Sequence, residues 1–285
     1  MMAKRWIGMG ALLMLLMPAL ASAQEAPGVE AEVEVEAEAE AEVASEEGNE
    51  ANATGRAFVG DTALLSEVGR WEVGLFGPLR YGLSEKMELA VHPLLFFVAP
   101  NAQLKVSHGT RGGWHLASKH QLTYPTLLFR LMAREGIGGI LPADRAVPHI
   151  LSLQSELLVT REVGAHKVSL GLGVQVAPRV GESQLVSIDL PFVYPRTAAM
   201  FGWATGIMSV HMQGPIAGKL GYEADVRAFT YPGVDGAFAV EQGAALRLTT
   251  SPGFMAQLGY RLSYAGYPFG TMFNIAPTLE LAWGF

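Results

Sequence analysis

From Phe273 to the end of the chain, hydrophobic and small or polar residues alternate without a break. The odd positions are Phe273, Ile275, Pro277, Leu279, Leu281, Trp283 and Phe285. The even ones are Asn274, Ala276, Thr278, Glu280, Ala282 and Gly284. Successive side chains of a β-strand point to opposite faces, so such a segment needs two different environments. The same period of two recurs upstream. Phe254, Ala256, Leu258, Tyr260, Leu262 and Tyr264 alternate with Met255, Gln257, Gly259, Arg261 and Ser263; Leu220 to Ala228 and Val168 to Val176 repeat the pattern. No amphipathic helical stretch of comparable length competes with it. The alternation predicts twelve strands, near 70–79, 86–95, 100–108, 114–128, 149–160, 166–178, 184–194, 202–212, 218–230, 238–250, 253–264 and 273–285, within a range of ten to fourteen. Short turn signals at 251–253, 213–215 and 180–183 alternate with longer ones at 231–236 and 265–270. On this count the long segment 131–148 falls at the end of the short turns, and one unrecognised strand before Trp71 would invert that parity.

The two faces decide between architectures. A soluble β-sandwich carries a well-charged outer face. Here the second face is Gly, Ala, Ser and Gln with a few charges, and the apolar face runs about 9–11 residues, the length a tilted strand needs to cross a bilayer. A closed barrel is the one sheet that leaves no unpaired edge in lipid. The fold class expected is all-β, a transmembrane antiparallel up-and-down β-barrel.

Charge sharpens this reading once it is divided along the chain. The 285 residues carry a formal charge of −7, with no cysteine and 50% hydrophobic residues. Lys4 and Arg5, an apolar run from Trp6 to Leu20 and Ala21-Ser22-Ala23 form the three parts of a secretory signal peptide, residues 1–23. Residues 24–53 hold eleven Glu and no Lys or Arg. That low-complexity composition marks 24–57 as an acidic, disordered periplasmic arm, either a spacer or a docking element for a basic periplasmic partner. Residues 54–285 sum to +2, and 58–285 form the barrel. Without Cys there is no disulfide scaffold and no Cys-ligated zinc. A body this close to neutral does not suit nucleic acid.

The signal peptide, the aromatic fringes of the strands and the ending Trp283-Gly284-Phe285 resemble bacterial outer-membrane β-barrel proteins. The resemblance covers roughly residues 58–285. It implies residence in the Gram-negative outer membrane, in contact with outer-membrane lipid. It also implies that Leu279, Leu281, Trp283 and Phe285 form the signal read by the barrel-assembly machinery. The stretch Tyr81-Gly82-Leu83-Ser84-Glu85-Lys86-Met87-Glu88-Leu89 is similar to tight strand–turn–strand segments of such barrels. The acidic arm departs from most of them.

Candidate chemistry is thin. If the apolar faces meet lipid, Glu223, Asp225, Arg227, Glu241, Arg247, Arg261 and Glu280 face the lumen as a mixed-sign patch. Such charges must pair with one another or meet water, so they either form a hydrogen-bonded ladder that plugs the barrel or line a narrow aqueous path. A hydrolase would need a Ser beside a His and a group to orient it. Ser118 and His120 share a strand face and are the best such pair, though a lone Ser/His pair arises easily by chance. His115 and His120 lack a matched third metal ligand, so neither metal nor cofactor is expected. The reading that follows is a non-enzymatic barrel, a small passive channel or transport barrel for polar solutes. Two alternatives stand beside it: a plugged structural or interaction barrel whose arm docks a periplasmic partner, and a lipid-modifying barrel enzyme.

Overall fold

The computed structural model describes residues 58–134, 141, 145–184, 190–232, 238–267 and 270–285. The signal peptide and the acidic arm expected at 1–23 and 24–57 lie outside the described residues. Fourteen strands occur among those described: β1 (Trp71–Gly74), β2 (Leu79–Ser84), β3 (Met87–Val91), β4 (Asn101–Arg111), β5 (Trp114–Thr123), β6 (His149–Ile150), β7 (Ser152–Val163), β8 (His166–Val176), β9 (Arg179–Val180), β10 (Ala204–Ala217), β11 (Leu220–Thr230), β12 (Phe238–Ser251), β13 (Phe254–Tyr267) and β14 (Gly270–Gly284). Three short helices, α1 (Pro93–Phe96), α2 (Thr126–Met132) and α3 (Tyr194–Phe201), lie in the connections.

Twelve of the strands close into one antiparallel barrel, in the order β1-β14-β13-β12-β11-β10-β8-β7-β5-β4-β3-β2; β6 and β9 pair apart from it. Closure is made by Glu72, Val73 and Gly74 against Gly284, Trp283 and Ala282. Two backbone bonds extend it, Phe285 N–H to Trp71 O at 2.9 Å and Trp71 N–H to Phe285 O at 3.1 Å. Every barrel strand thus finds partners on both sides, so no edge is left to solvent or lipid.

The barrel is inside out relative to a soluble domain. Leu172 is 62% exposed, Leu258 65% and Ile275 66%, while Lys105 and Glu241 are wholly buried. Alternation places these residues on opposite faces of their strands, as the period of two requires. An apolar exterior around a charged interior is stable when the surrounding medium is hydrocarbon. Aromatic residues gather at both rims: Trp71 stacks near Tyr81 and Phe254 near Trp283 at one, Phe238 near Tyr264 at the other.

The expected number of barrel strands is met, but by a different partition. The segment expected as one strand at 70–79 is broken at Leu75–Pro78, and a separate strand, β2, follows. Pro78 has no N–H to give to a ladder. Of the strand expected at 184–194, residues 184 and 190–193 form no strand, Tyr194 opens α3, and 185–189 lie outside the described residues. Counting β2 settles the parity. The tight turns at 85–86, 112–113, 164–165, 218–219 and 252–253 share one end with both termini of the barrel. The described residues of the longer connections 124–151 and 177–203 lie at the other end, so the described part of 131–148 belongs with the long loops. The turn signal at 213–215 is run through by β10, which bulges at Pro215 and turns at Gly218. The Gly112-Gly113 pair has φ of 58° and 77°. Two consecutive left-handed residues build the two-residue hairpin turn whose twist matches the flanking strands, and glycine adopts them without steric cost.

At the long-loop end, α2, Ile150, Ala177 and α3 pack into an apolar cluster containing Phe129, Leu141 and Met200. At the tight-turn end, the described chain enters through residues 58–70.

Candidate functional site

Residues Phe58–Glu67 do not add a strand. They run inside the barrel and are held by polar groups of its inner wall. Val59 and Thr62 have no accessible surface and Ala63 has 2%. Phe58 N–H donates to Glu72 Oε1 at 2.7 Å, and its ring packs with Met255 and Ala282. Ala63 N–H donates to Thr160 Oγ1 at 2.7 Å, and the N–H and hydroxyl of Ser66 both reach Glu88 Oε2, at 2.9 and 3.0 Å. Lys105 Nζ donates to the carbonyls of Gly60 and Leu64 at 3.2 and 3.0 Å, and Arg80 also bonds Gly60 O at 3.0 Å. Such a segment cannot satisfy its backbone by a ladder, so side chains of five strands, β1, β2, β3, β4 and β7, supply the partners.

Asp61 is the one charged side chain at the centre of this segment. It bridges Lys119 on β5 and Arg227 on β11, each at 3.1 Å, two walls that are not neighbours in the barrel. Lys119, with Arg227 next in weight, holds the Asp61 carboxyl well below the usual carboxylate range despite burial, which acts the other way. Lys119 also pairs with Glu156 at 2.6 Å, and Lys105 with Glu88 at 3.4 Å. Removing the partner of a buried charge is strongly destabilising, so the Lys119–Glu156 and Lys105–Glu88 pairs constrain their neighbours, while the Asp61 side chain is half-exposed.

Toward the other end the inner wall binds α3. Both oxygens of Glu241 receive the Arg196 guanidinium, one of them at 2.6 Å, and Arg196 lies 5.6 Å from the Phe229 ring centre. Tyr194, Ile207, Phe229, Tyr231 and Tyr267 form a buried cluster beneath the helix. Between the N-terminal segment and the wall a cavity of about 160 Å³ remains, bordered by Arg80, Glu72, Glu223, Gln257 and Glu280.

The structure places the seven lumen candidates as follows. Asp225 takes a two-pronged contact from Arg261 at 3.0 Å, and Arg261 also approaches Glu241 at 3.5 Å. Glu223 lies 3.1 Å from His211 Nε2 and accepts from Gln257 at 3.3 Å. Arg247 donates to Gln213 at 3.1 Å, and Arg227 holds Asp61. Glu280 accepts from the backbone N–H groups of Phe76 and Gly77. In the terminal strand Leu279, Trp283 and Phe285 are exposed and Leu281 is half-buried.

Ser118 and His120 stand elsewhere, on the outer face of β5 between the exposed leucines of neighbouring strands. Ser118 Oγ lies 3.0 Å from His120 Nε2.

No known protein-family profile matches the chain. In fold it is similar to outer-membrane proteins. Against OmpT of Vibrio cholerae the identity is 8%, over 73% of this chain and 65% of that one, with a TM-score of 0.43. A bacterial polysaccharide outer membrane secretin gives 9% identity over 78% and 77%, with a TM-score of 0.43. OccK11 of Pseudomonas aeruginosa gives 13% over 81% and 61%, with a TM-score of 0.36. The chain spans less than two thirds of the Vibrio and Pseudomonas proteins.

The sequence reading missed Asp61, Glu72, Arg80, Glu88, Lys105, Lys119 and Glu156. Most of them sit in regular alternation with outward residues: Glu88 between Met87 and Leu89, Lys105 between Leu104 and Val106. Following the period of two through β3, β4, β5 and β7 would have collected those wall residues. Asp61 lies in no periodic segment and carries no such signal.

Proposed function

We propose that this protein is an outer-membrane barrel whose bore is closed in its resting state by its own N-terminal segment. One observation carries this reading: Phe58–Glu67 occupies the interior and is bonded to wall strands all round. The apolar exterior and the aromatic rims support residence in a bilayer, and the signal-like residues 1–23 support export to it. The mixed-sign wall residues then act as a hydrogen-bonded lining that seats the segment, and the open passive channel becomes the state reached when the segment leaves. The acidic residues 24–57 directly precede Phe58, so a partner that grips them also pulls on the plug.

Planar-bilayer recording tests this. The folded full-length protein is expected to be silent, and replacement of residues 58–66 by a Gly/Ser linker is expected to give steady ion conductance. Equal conductance from both proteins would contradict the reading. Deleting 24–53 while retaining every co-purifying periplasmic protein would count against the docking role of the arm.

A further inference from the structure

Polar residues on a lipid-facing surface are costly and need a reason. The outer face of β4, β5 and β7 carries four in one hydrogen-bonded chain. His108 Nε2 lies 2.9 Å from Ser118 Oγ, Ser118 Oγ lies 3.0 Å from His120 Nε2, and His120 Nδ1 lies 3.0 Å from Ser155 Oγ. None of these contacts the charged interior. Leu89, Leu122, Leu153 and Leu157, each more than 40% exposed, stand on the same face around them.

The hydrogen count assigns roles. A serine hydroxyl has one hydrogen to give and can accept two, so at most one of the two imidazoles at Ser118 accepts from it and the other donates. His120 is the one whose second nitrogen is held by another group, Ser155. The tautomer with hydrogen on Nδ1 donates to Ser155 Oγ and leaves Nε2 free to accept from Ser118, and it is this tautomer that the site needs. His108 then presents its Nε2–H to the same oxygen. A serine paired with an imidazole that a third group orients is the arrangement of an activated nucleophile.

We propose that Ser118, His120 and Ser155 form an acyl-ester site on the outside of the barrel, acting on the ester of a membrane lipid whose acyl chain lies along the surrounding leucines. In the first step His120 Nε2 takes the Ser118 proton as Oγ bonds to the ester carbonyl carbon and the carbonyl electron pair moves to its oxygen. That pair returns as the bond to the lipid alcohol breaks, and the alcohol leaves with the proton from His120. Water then gives a proton to His120, attacks the acyl-serine and releases a fatty acid while Ser118 regains its hydrogen. Ser118 and His120 are the catalytic residues, and Ser155 is a positioning residue. The site rests on the reading of the apolar exterior as lipid-facing, and it does not depend on whether the bore is open.

The test uses the folded full-length protein in vesicles of phosphatidylethanolamine and phosphatidylglycerol, with and without lipopolysaccharide, and a fluorophosphonate probe. Expected are probe labelling and fatty-acid release. The vesicle arm that supports release tells a phospholipid ester from a lipopolysaccharide ester. Ser118→Ala and His120→Ala should lower release by about a hundredfold or more, and Ser155→Ala should lower kcat while leaving KM in place. Unlabelled wild-type protein with no release in either vesicle, or release unchanged in Ser118→Ala, overturns the proposal. If Ser118→Ala does not fold, the wild-type adduct decides: mass mapping to Ser118 supports the site, and mapping to another residue overturns it. The difference in gel mobility between unboiled and boiled samples reports membrane-type folding independently, so failure of the barrel reading is separable from failure of the site.

Discussion

Replacing Lys105 by methionine should release the plug. The ammonium of Lys105 is fully buried. It holds two carbonyls of the N-terminal segment, Gly60 at 3.2 Å and Leu64 at 3.0 Å, and lies 3.4 Å from Glu88. Methionine keeps the length of the stem but offers no donor. With the plug docked, Glu88 would retain the two bonds from Ser66 and the guanidinium of Arg80 at 3.7 Å, but its nearest cation would be gone and two carbonyls would lose a donor. Removing one partner of a buried pair costs about 3–5 kcal/mol. At 1.4 kcal/mol per decade, that is roughly two to four powers of ten in the ratio of docked to undocked plug. With the plug undocked, water reaches Glu88 and most of the penalty is relieved, so the cost falls on docking.

The chain has no cysteine, so a single thiol reports one place. Val59 is wholly buried, and Val59→Cys changes its volume little. Reaction of that thiol with a maleimide follows the open population when reclosing is fast. The Lys105→Met background should speed labelling by about a hundredfold or more. The further change Glu88→Gln, which removes the stranded charge, should recover most of the protection. A rate within about threefold of the parent would refute the assignment of Lys105 as the residue that seats the plug.

Three further outcomes follow from named contacts. Because Lys119 and Arg227 depress the Asp61 carboxyl, its contribution to plug docking is fully present above the ordinary carboxylate pKa of about 3.9 and is lost as pH falls further through the depressed value. Open-channel probability should therefore be flat from neutral pH down to about 5 and rise below about 4. Asp61→Asn should remove that rise and raise opening at neutral pH; an acid rise of undiminished size in that variant would contradict the assignment. A β-carbon at Gly82 would collide with the backbone carbonyl of Glu67, so Gly82→Ala should lower stability by about 1–3 kcal/mol, read as a lower urea midpoint at unchanged slope. Removing Phe285 deletes both backbone bonds that continue the β1–β14 seam to Trp71 and the terminal aromatic, so less protein should reach the heat-modifiable folded form; an unchanged yield would argue against the terminal-signal role.

The strands were legible where they are long. β10 to β14 run 11 to 15 residues, and their period of two repeats often enough to outweigh local exceptions. β1 and β2 are only four and six residues long, too short to show a period, and Pro78 between them was absorbed into one expected strand. The strand expected at 184–194 ends on the residue that opens α3, a helix tied to the wall by Arg196 and Glu241. The wall charges of the C-terminal half stand in long alternating strands, as do Lys105, Lys119 and Glu156 in β4, β5 and β7. The plug was not, because Phe58–Glu67 owes its path to bonds with residues tens of positions away, and such bonds leave no mark in local periodicity. Ser118 and His120 could be paired by their i, i+2 spacing, but Ser155 joins them only through the register of β5 with β7, in which His120 faces Ser155.

Amide hydrogen exchange of the folded protein in lipid, followed over residues 58–66, tests the closed bore most directly. The amide of Ala63 is bonded to Thr160 and that of Ser66 to Glu88, so both should stay protected for as long as amides of the barrel strands. Full exchange of this segment within the first seconds, while the strands remain protected, would show that it does not occupy the bore.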